Sequence, residues 1–318
     1  MIRKGNLYQQ IISIENLYEA DKKASRGKSQ QFGVIKHKLN KDENILKLHE
    51  SLKNKTYSTS EYSVFNIYEP KKREISRLPY YPNRIVHHAI MKYLEPILTN
   101  CLISQTYSCI KSRGIHKCLK DLNKALRDEV NTLYCLKLDI KKFYPSINKE
   151  ILKSKLRRKI KDFDLLFLLD EIIDSNKQGL PLGNYLSQWM ANYFLNDFDH
   201  WLKQDKKVKY YFRYCDDLVI LSGSKEYLHN LKKEIENYLN SKLDLQLSNY
   251  QVFPVASRGI NFVGYVSFHT HTLLRKSIKN RFRRMLNYNK NKKSIASYNG
   301  WLVHANCKNL AKVLLKEK

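Results

Sequence analysis

The stretch YYFRYCDDLVILSG, residues 210–223, sets two adjacent carboxylates, Asp216 and Asp217, between two runs that carry the pattern of buried strands. Val208, Tyr210, Phe212 and Tyr214 alternate with Lys209, Tyr211 and Arg213, and Leu218 to Leu221 resume an apolar run after the acids. Short strand, tight turn, short strand predicts a hairpin, with Cys215, Asp216 and Asp217 at its tip. Aspartate is ordinary turn chemistry, so the pair alone reads as a solvated turn. Two neighbouring like charges between strands repel, however, and something positive must compensate them.

A third carboxylate changes that reading. In TLYCLKLDIKKFYPSINKEILKSKL, alternation from Leu133 to Asp139 predicts a strand, with Leu136 and Leu138 near one register and Cys135, Lys137 and Asp139 on the opposite face. Pro145 is expected to end the extended run, and Asn148 to cap the helix that follows. If this strand lies beside the hairpin, Asp139 and Asp216 converge. Carboxylates gathered so closely stay ionised with divalent cations between them, and hard oxygen ligands select magnesium or manganese. Two such ions roughly 3.5–4 Å apart activate an attacking hydroxyl and stabilise a leaving oxygen in phosphoryl or nucleotidyl transfer.

Composition asks for a matching substrate. The chain has 318 residues, 42% of them hydrophobic and 12% aromatic, which is the make-up of a folded protein. Lysine and arginine number 58 against 30 aspartates and glutamates, and a net charge of +28 points to a polyanionic partner. A membrane surface is the competing polyanion, but no apolar run approaches the roughly 18–20 residues of a spanning helix. The N-terminal MIRKGNLYQQIISIENLYEA also lacks the apolar core of a signal peptide, so the cytoplasm is the expected compartment. Cysteines 101, 109, 118, 135, 215 and 307 show no C-x-x-C spacing, which predicts free and mostly buried thiols. The pairs His87/His88 and His269/His271 lack the matching second pair of a zinc site.

Residues 1 to about 60 read as basic and helical. YSVFNIYEP and the residues after the basic turn KKRE read as a strand pair, feeding a helix from about Pro82 that stops near Pro96. GIHKCLKDLNKALRD, from Gly114, spaces Ile115, Leu119, Leu122 and Leu126 at three and four residues, an amphipathic helix with a basic outer face. QGLPLGN forms a turn before NYLSQWMANYFLNDFDHWLK, whose Leu186, Trp189, Met190, Tyr193, Phe194, Phe198, Trp201 and Leu202 make a helical apolar stripe. LLRKSIKNRFRRML packs six cations into fourteen residues around Ile278, Phe282 and Met285, so one face docks and the other meets phosphate.

LDIKKFYPSI, GLPLGNYLSQ, YCDD and GINFVGY follow one another in that order, and together they resemble the palm motifs of reverse transcriptases, over about residues 60–285. The resemblance implies an α+β right-hand polymerase fold: an N-terminal basic helical extension (1–60), fingers (61–138), a palm whose antiparallel sheet carries the YxDD hairpin (139–268, with a helical insertion at 148–178) and a short helical thumb (269–318). It implies two Mg²⁺ or Mn²⁺ ions, with Asp139 and Asp216 as chief ligands, Asp217 beside them and the backbone carbonyl of Ile140 as a further ligand. Tyr144 matches the sugar gate that excludes a ribose 2′-hydroxyl, making DNA the product. KKREIS resembles the triphosphate-binding turn, with Arg73 helped by Lys71 or Lys72; a solvated basic turn is the plain alternative.

Leu182, Gly183 and Gln188 fall at the positions that meet the nascent pair, but Leu182 stands where most of the family has glutamine. The apolar-G-N-x-x-S-Q pattern resembles the diversity-generating retroelement branch, whose enzymes misincorporate opposite template adenines. Gly259 and Gly264 match the primer-grip turns, and Arg275, Lys276, Lys279, Arg283 and Arg284 would follow the nucleic-acid backbone. Where the family often has a lysine acting on pyrophosphate, this chain offers Ser248, Asn249, Tyr250 and Gln251, and no general acid is assigned. After the thumb, too little sequence remains for an RNase H or endonuclease domain. The implied partners are template RNA, primer and cDNA, deoxynucleoside triphosphates and a small basic accessory protein, in a bacterial cell. A group II intron-like or defence-associated reverse transcriptase of ordinary fidelity, and a catalytically silent RNA-binding scaffold, remain open alternatives.

Overall fold

In the computed structural model, which describes residues 3–68, 72–288 and 292–307, the basic N-terminal segment is helical. It forms α1 (Tyr8–Ile12), α2 (Ile14–Ser25), α3 (Phe32–Leu39) and α4 (Lys41–Lys53), followed by β1 (Ser63–Ile67), β2 (Arg73–Arg77) and α5 (Ile85–Thr99). The middle of the chain carries α6 (Ile115–Ala125), β3 (Tyr134–Ile140), α7 (Phe143–Ser146), α8 (Lys149–Arg157), α9 (Phe163–Asp174), α10 (Tyr185–Phe194) and α11 (Asn196–His200). Then come β4 (Tyr210–Tyr214), β5 (Asp217–Ser222), α12 (Lys225–Leu243), β6 (Leu247–Pro254), α13 (Val255–Arg258), β7 (Ile260–Phe262), β8 (Tyr265–Ser267), β9 (Thr272–Leu274), α14 (Lys276–Tyr288) and α15 (Lys292–Leu302). These elements fall into two compact units, one drawn from Met1–Ile103, Lys142–Asp199 and Leu239–Leu245, the other from Ser104–Lys141, His200–Tyr238 and Gln246–Lys318. No helix among the described residues is long and apolar enough to cross a membrane.

In the first unit the amphipathic N-terminal helices bury Ile11, Leu17, Ile45 and Leu48, together with Ile90 and Leu94 of α5. The buried Asn16 Nδ2 donates to the carbonyls of Ile11 and Ala89 at 2.7 and 3.3 Å, which satisfies donors that the core would otherwise penalise, while its Oδ1 is buried without a partner among the described residues. Strands β1 and β2 pair antiparallel, and every residue of β1 is exposed. Asn148 caps α8 as expected, accepting from the N–H groups of Glu150 and Ile151.

Both proline stops are displaced. Helix α5 runs through Pro96 to Thr99; the missing N–H costs one helix bond, but Leu94 and Leu98 on either side are buried and hold the last turn. Strand β3 ends at Ile140, where Lys142 turns left-handed at φ 45°, and Pro145 lies inside the four-residue α7, a helical first turn where its absent N–H is an orphan anyway. The stripe over 186–202 is largely buried as expected, but its helix is broken after Phe194 and Trp201 is half-buried, stacking on Tyr238 with ring centroids 4.6 Å apart. None of the six cysteines forms a disulfide, and three of them, Cys118, Cys135 and Cys307, are buried.

The second unit is organised by a four-stranded antiparallel sheet in the order β4-β5-β3-β6. Successive side chains of β3, Cys135 and Leu136, are both fully buried, so its two faces are covered. On one face Cys118 and Leu122 of α6 join Cys135, Phe212, Val219, Leu221 and Phe253 in a single core. A second small sheet, β7-β8-β9, packs with α14 and α15 around Tyr265, Leu274 and the fully buried Phe282. The cation-rich α14 therefore docks by its apolar face, as its spacing predicts.

Candidate active site

Antiparallel pairing puts Asp139 of β3 directly opposite Asp217 of β5, and Asp217 also faces Tyr214 across the hairpin. Facing positions share one side of a sheet, so the two carboxylates stand on the same side. The turn itself is Cys215 and Asp216, with Cys215 left-handed at φ 59°. Asp217 is thus a strand residue rather than part of the tip, and Asp216 follows half-buried just before it.

The turn is braced from beneath. Arg213 is fully buried and donates to the Cys215 carbonyl at 3.1 Å and to the Thr106 hydroxyl at 3.4 Å. Its backbone N–H bonds to the Gln105 carbonyl, and its own carbonyl accepts from Tyr107. Arg213→Leu would strand the oxygen acceptors of that charged donor, and a loss of about 2–4 kcal/mol in urea unfolding is expected.

Positive charge reaches the acids from β3 itself. Lys137, two residues before Asp139 and on the same face, places its Nζ 3.6 Å from Asp217 Oδ1 and donates to the Asn261 carbonyl at 2.8 Å. Asn261 in turn accepts from Arg275 Nε at 2.6 Å, so Arg275 is tied to β7. The Ser248 hydroxyl donates to Asp139 Oδ2 at 2.8 Å. The register between β3 and β6 shifts between Asp139 and Ile140, the kind of bulge that re-aims backbone beside a site. In donor chemistry the set fits a hard divalent cation: carboxylates at facing strand positions, one more at the turn and a backbone carbonyl. The carboxylates are not drawn to one point, and among the described residues no three His, Cys, Asp or Glu side chains form a ready metal cluster.

The sequence-predicted nucleotide contacts cluster in the first unit. The Ser76 N–H of β2 donates to the Leu182 carbonyl at 2.9 Å, and the Leu180 N–H donates to the Tyr144 carbonyl at 2.9 Å. The QGLPLGN loop is therefore fastened to β2 on one side and to Tyr144 on the other. Gly183 adopts φ +123°, and a Cβ there would approach the Ser76 carbonyl oxygen at 2.9 Å, so a side chain would lift the loop from the strand. Gln188 lies one turn into α10 and shares a cavity with Gly183 and Ser76. Lys72 and Arg73 are exposed at the start of β2; Lys71 lies outside the described residues. Lys276, Arg283 and Arg284 are exposed on α14 and Lys279 is half-exposed, while Gly259 and Gly264 take left-handed φ of 68° and 91°, backbone that glycine adopts without strain.

Residues 70–266 match the family described as Reverse transcriptase (RNA-dependent DNA polymerase). The chain belongs to the reverse transcriptase family. Among curated relatives of this reverse transcriptase, Protein YkfC of Escherichia coli K12 is 24% identical over 66% of this chain and 66% of its own length. Retron Ec73 reverse transcriptase of Escherichia coli is 25% identical over 67% of this chain and 74% of its own. Group II intron-encoded protein LtrA of Lactococcus lactis is 21% identical over 70% and 49%. Telomerase from Candida albicans, solved with a fragment of telomeric RNA, superposes with a TM-score of 0.51 at 12% identity, covering 75% of this chain and 52% of that one. The chain thus spans about half the length of LtrA and of the telomerase. The fold is the right-hand polymerase fold, built from helices and antiparallel sheet.

Of the residues around this reverse transcriptase's acidic site, Ser248 was marked in the sequence only as standing where the family often has a lysine, and Lys137 and Asn261 carried no motif of their own. Alternation put Lys137 on the Asp139 face.

Proposed function

We propose that the chain copies an RNA template into DNA by two-metal nucleotidyl transfer, as the error-prone polymerase of a diversity-generating retroelement. The observation that carries the chemistry is Asp139 at the register position facing Asp217, one residue from Asp216. Two magnesium or manganese ions held by Asp139, Asp216, Asp217 and the Ile140 carbonyl would activate the primer 3′-hydroxyl and stabilise the leaving pyrophosphate oxygen. Arg73 and Lys72 would grip the triphosphate through charge-assisted hydrogen bonds. The ring of Tyr144 would exclude a ribose, and Lys276, Lys279, Arg283 and Arg284 would neutralise template and primer phosphates. Arg275, engaged with Asn261, would orient the primer-grip turn beside them. The +28 charge supports a template RNA as substrate, and the retroelement reading brings with it a small basic accessory protein and a bacterial cytoplasm.

The retroelement branch rests on Leu182. A side chain on a loop pinned to β2 that cannot hydrogen-bond the nascent pair weakens discrimination between right and wrong pairings. Leu182→Gln restores a donor and acceptor, and a fall of about tenfold in errors opposite template adenine is expected, the equivalent of one hydrogen bond. Sequencing cDNA made on an adenine-containing template measures it. If the unmodified protein makes no more errors at adenine than elsewhere, the chain is instead an ordinary-fidelity enzyme, a reading favoured by its likeness to the retron and group II intron proteins. If no primer is extended at all, the scaffold reading stands.

A further inference from the structure

The basic outer face of α6 takes no part in the acidic site, and in the second unit it borders a cavity of about 680 Å³. Lys117, Lys120, Lys124 and Arg127 line this cavity at spacings of three and four residues, so they follow one side of the helix and its last turn over about 15 Å. Asp121 is the one acid in the lining among the described residues. Its two oxygens accept from Lys117 Nζ at 2.5 and 2.6 Å, and Oδ2 also accepts from the Tyr107 hydroxyl at 2.8 Å. The side chains of Lys120, Lys124 and Arg127 have no ionic partner among the described residues, and like charges gathered without a counter-ion repel until an anion joins them.

Both walls of the cavity are fixed from behind. Leu119 of α6 is buried in one core with Phe282 of α14 and Leu302 of α15. Asn123 Oδ1 accepts from the Thr272 hydroxyl of β9 at 3.2 Å. The Thr272 N–H donates to Asn306 Oδ1 at 2.9 Å, and its carbonyl accepts from the Asn306 N–H at 2.7 Å. The cation row and the chain after α15 are thus tied to the same strand, and a ligand meets them already in place. That chain carries His304, which stacks on His116 with ring centroids 3.9 Å apart and planes 28° from parallel, while Trp301 meets His116 edge-on at 6.2 Å. His304 is exposed, so a further ring can extend the stack. The cavity also lies apart from the acids: α6 meets the sheet at Cys135, four residues along β3 from Asp139 or about 13 Å.

A row of unpaired cations beside an aromatic stack is the combination that holds single-stranded nucleic acid, with phosphates on the cations and a base on a ring face. We propose that this cavity is a second RNA site, separate from the acidic one, in which Lys120, Lys124 and Arg127 hold successive phosphates of a single-stranded segment and His304 stacks on one of its bases. A duplex hides its base faces, so the stack favours an unpaired strand. The site goes beyond the polymerase reading, because none of its residues belongs to the metal-binding or nucleotide-binding sets. The test is the affinity of the full chain for a single-stranded RNA oligonucleotide across a salt series, with a blunt RNA–DNA duplex in excess to fill other phosphate-binding surfaces. Lys120→Gln combined with Lys124→Gln is expected to weaken binding about tenfold and to reduce the slope of log affinity against log salt by about 1.4, the value for two phosphates of a single strand. Arg127→Gln, with a reduction of about 0.7, serves should the double variant fail to fold. His304→Ala is expected to weaken binding about tenfold with the slope unmoved, and to leave affinity for the blunt duplex, measured alone, within twofold. The kcat of primer extension is expected to hold within twofold in every variant, so a failed polymerase reading and a failed RNA site give different results. Single-strand affinity within twofold of the unmodified protein in all these variants would overturn the site, as would a loss of duplex affinity in His304→Ala as large as its loss for the single strand.

Discussion

Asp216→Asn is expected to lower primer extension on an RNA template about a thousandfold or more, in magnesium and in manganese alike. A thousandfold corresponds to about 4 kcal/mol of transition-state stabilisation, the scale on which a metal-held charge acts at a phosphoryl group. The substitution keeps the shape of the side chain and removes its charge. Asp216 lies in the turn, outside the ladder that pairs Tyr214 with Asp217, and the buried Arg213 holds the turn through the Cys215 carbonyl. Stability should therefore stay within about 0.5 kcal/mol, which thermal unfolding would verify. Asp139→Asn should behave alike in activity, while freeing Ser248 from its carboxylate partner. Retention of a tenth of normal activity by Asp216→Asn would remove that residue from the metal-binding set.

That expectation could be written from the hairpin motif because a period-two pattern with two acids at its end is a local signal. The pairing of β3 beside the hairpin was anticipated from chemistry rather than from pattern, and the Asp139–Asp217 register agrees with it. What the sequence hid is long-range. Ser248 meets Asp139 across 109 residues, and the bulge that shifts β6 against β3 has no local mark. Lys137 looks like any exposed strand lysine until β5 is laid beside it. The two prolines misled for the opposite reason: a breaker rule is local, and tertiary burial of Leu94 and Leu98, or a left-handed Lys142 placed earlier, overrode it. His87 and His88, weighed as metal ligands by their spacing, are neutral rings on a helix, the first buried and the second half-buried, an environment set by the packing around them.

The second large effect concerns sugar choice. Tyr144→Val is expected to raise kcat/KM for ribonucleoside triphosphates about a hundredfold while changing the deoxynucleotide value little. The effect is steric: a ring at this position occupies the space a 2′-hydroxyl needs, and a smaller side chain vacates it. The backbone is insulated from the change, because the Tyr144 carbonyl that receives the Leu180 N–H is present whatever the side chain, although the ring's edge contact with Phe143, at 5.7 Å between centroids, is lost. Tyr144→Phe keeps the ring and should keep the exclusion, which separates bulk from any role of the hydroxyl. Steady-state incorporation of matched ribo- and deoxynucleotides by the three proteins gives the ratio directly. An unchanged ratio in Tyr144→Val would mean that another group guards the sugar, and the product could no longer be inferred from this residue.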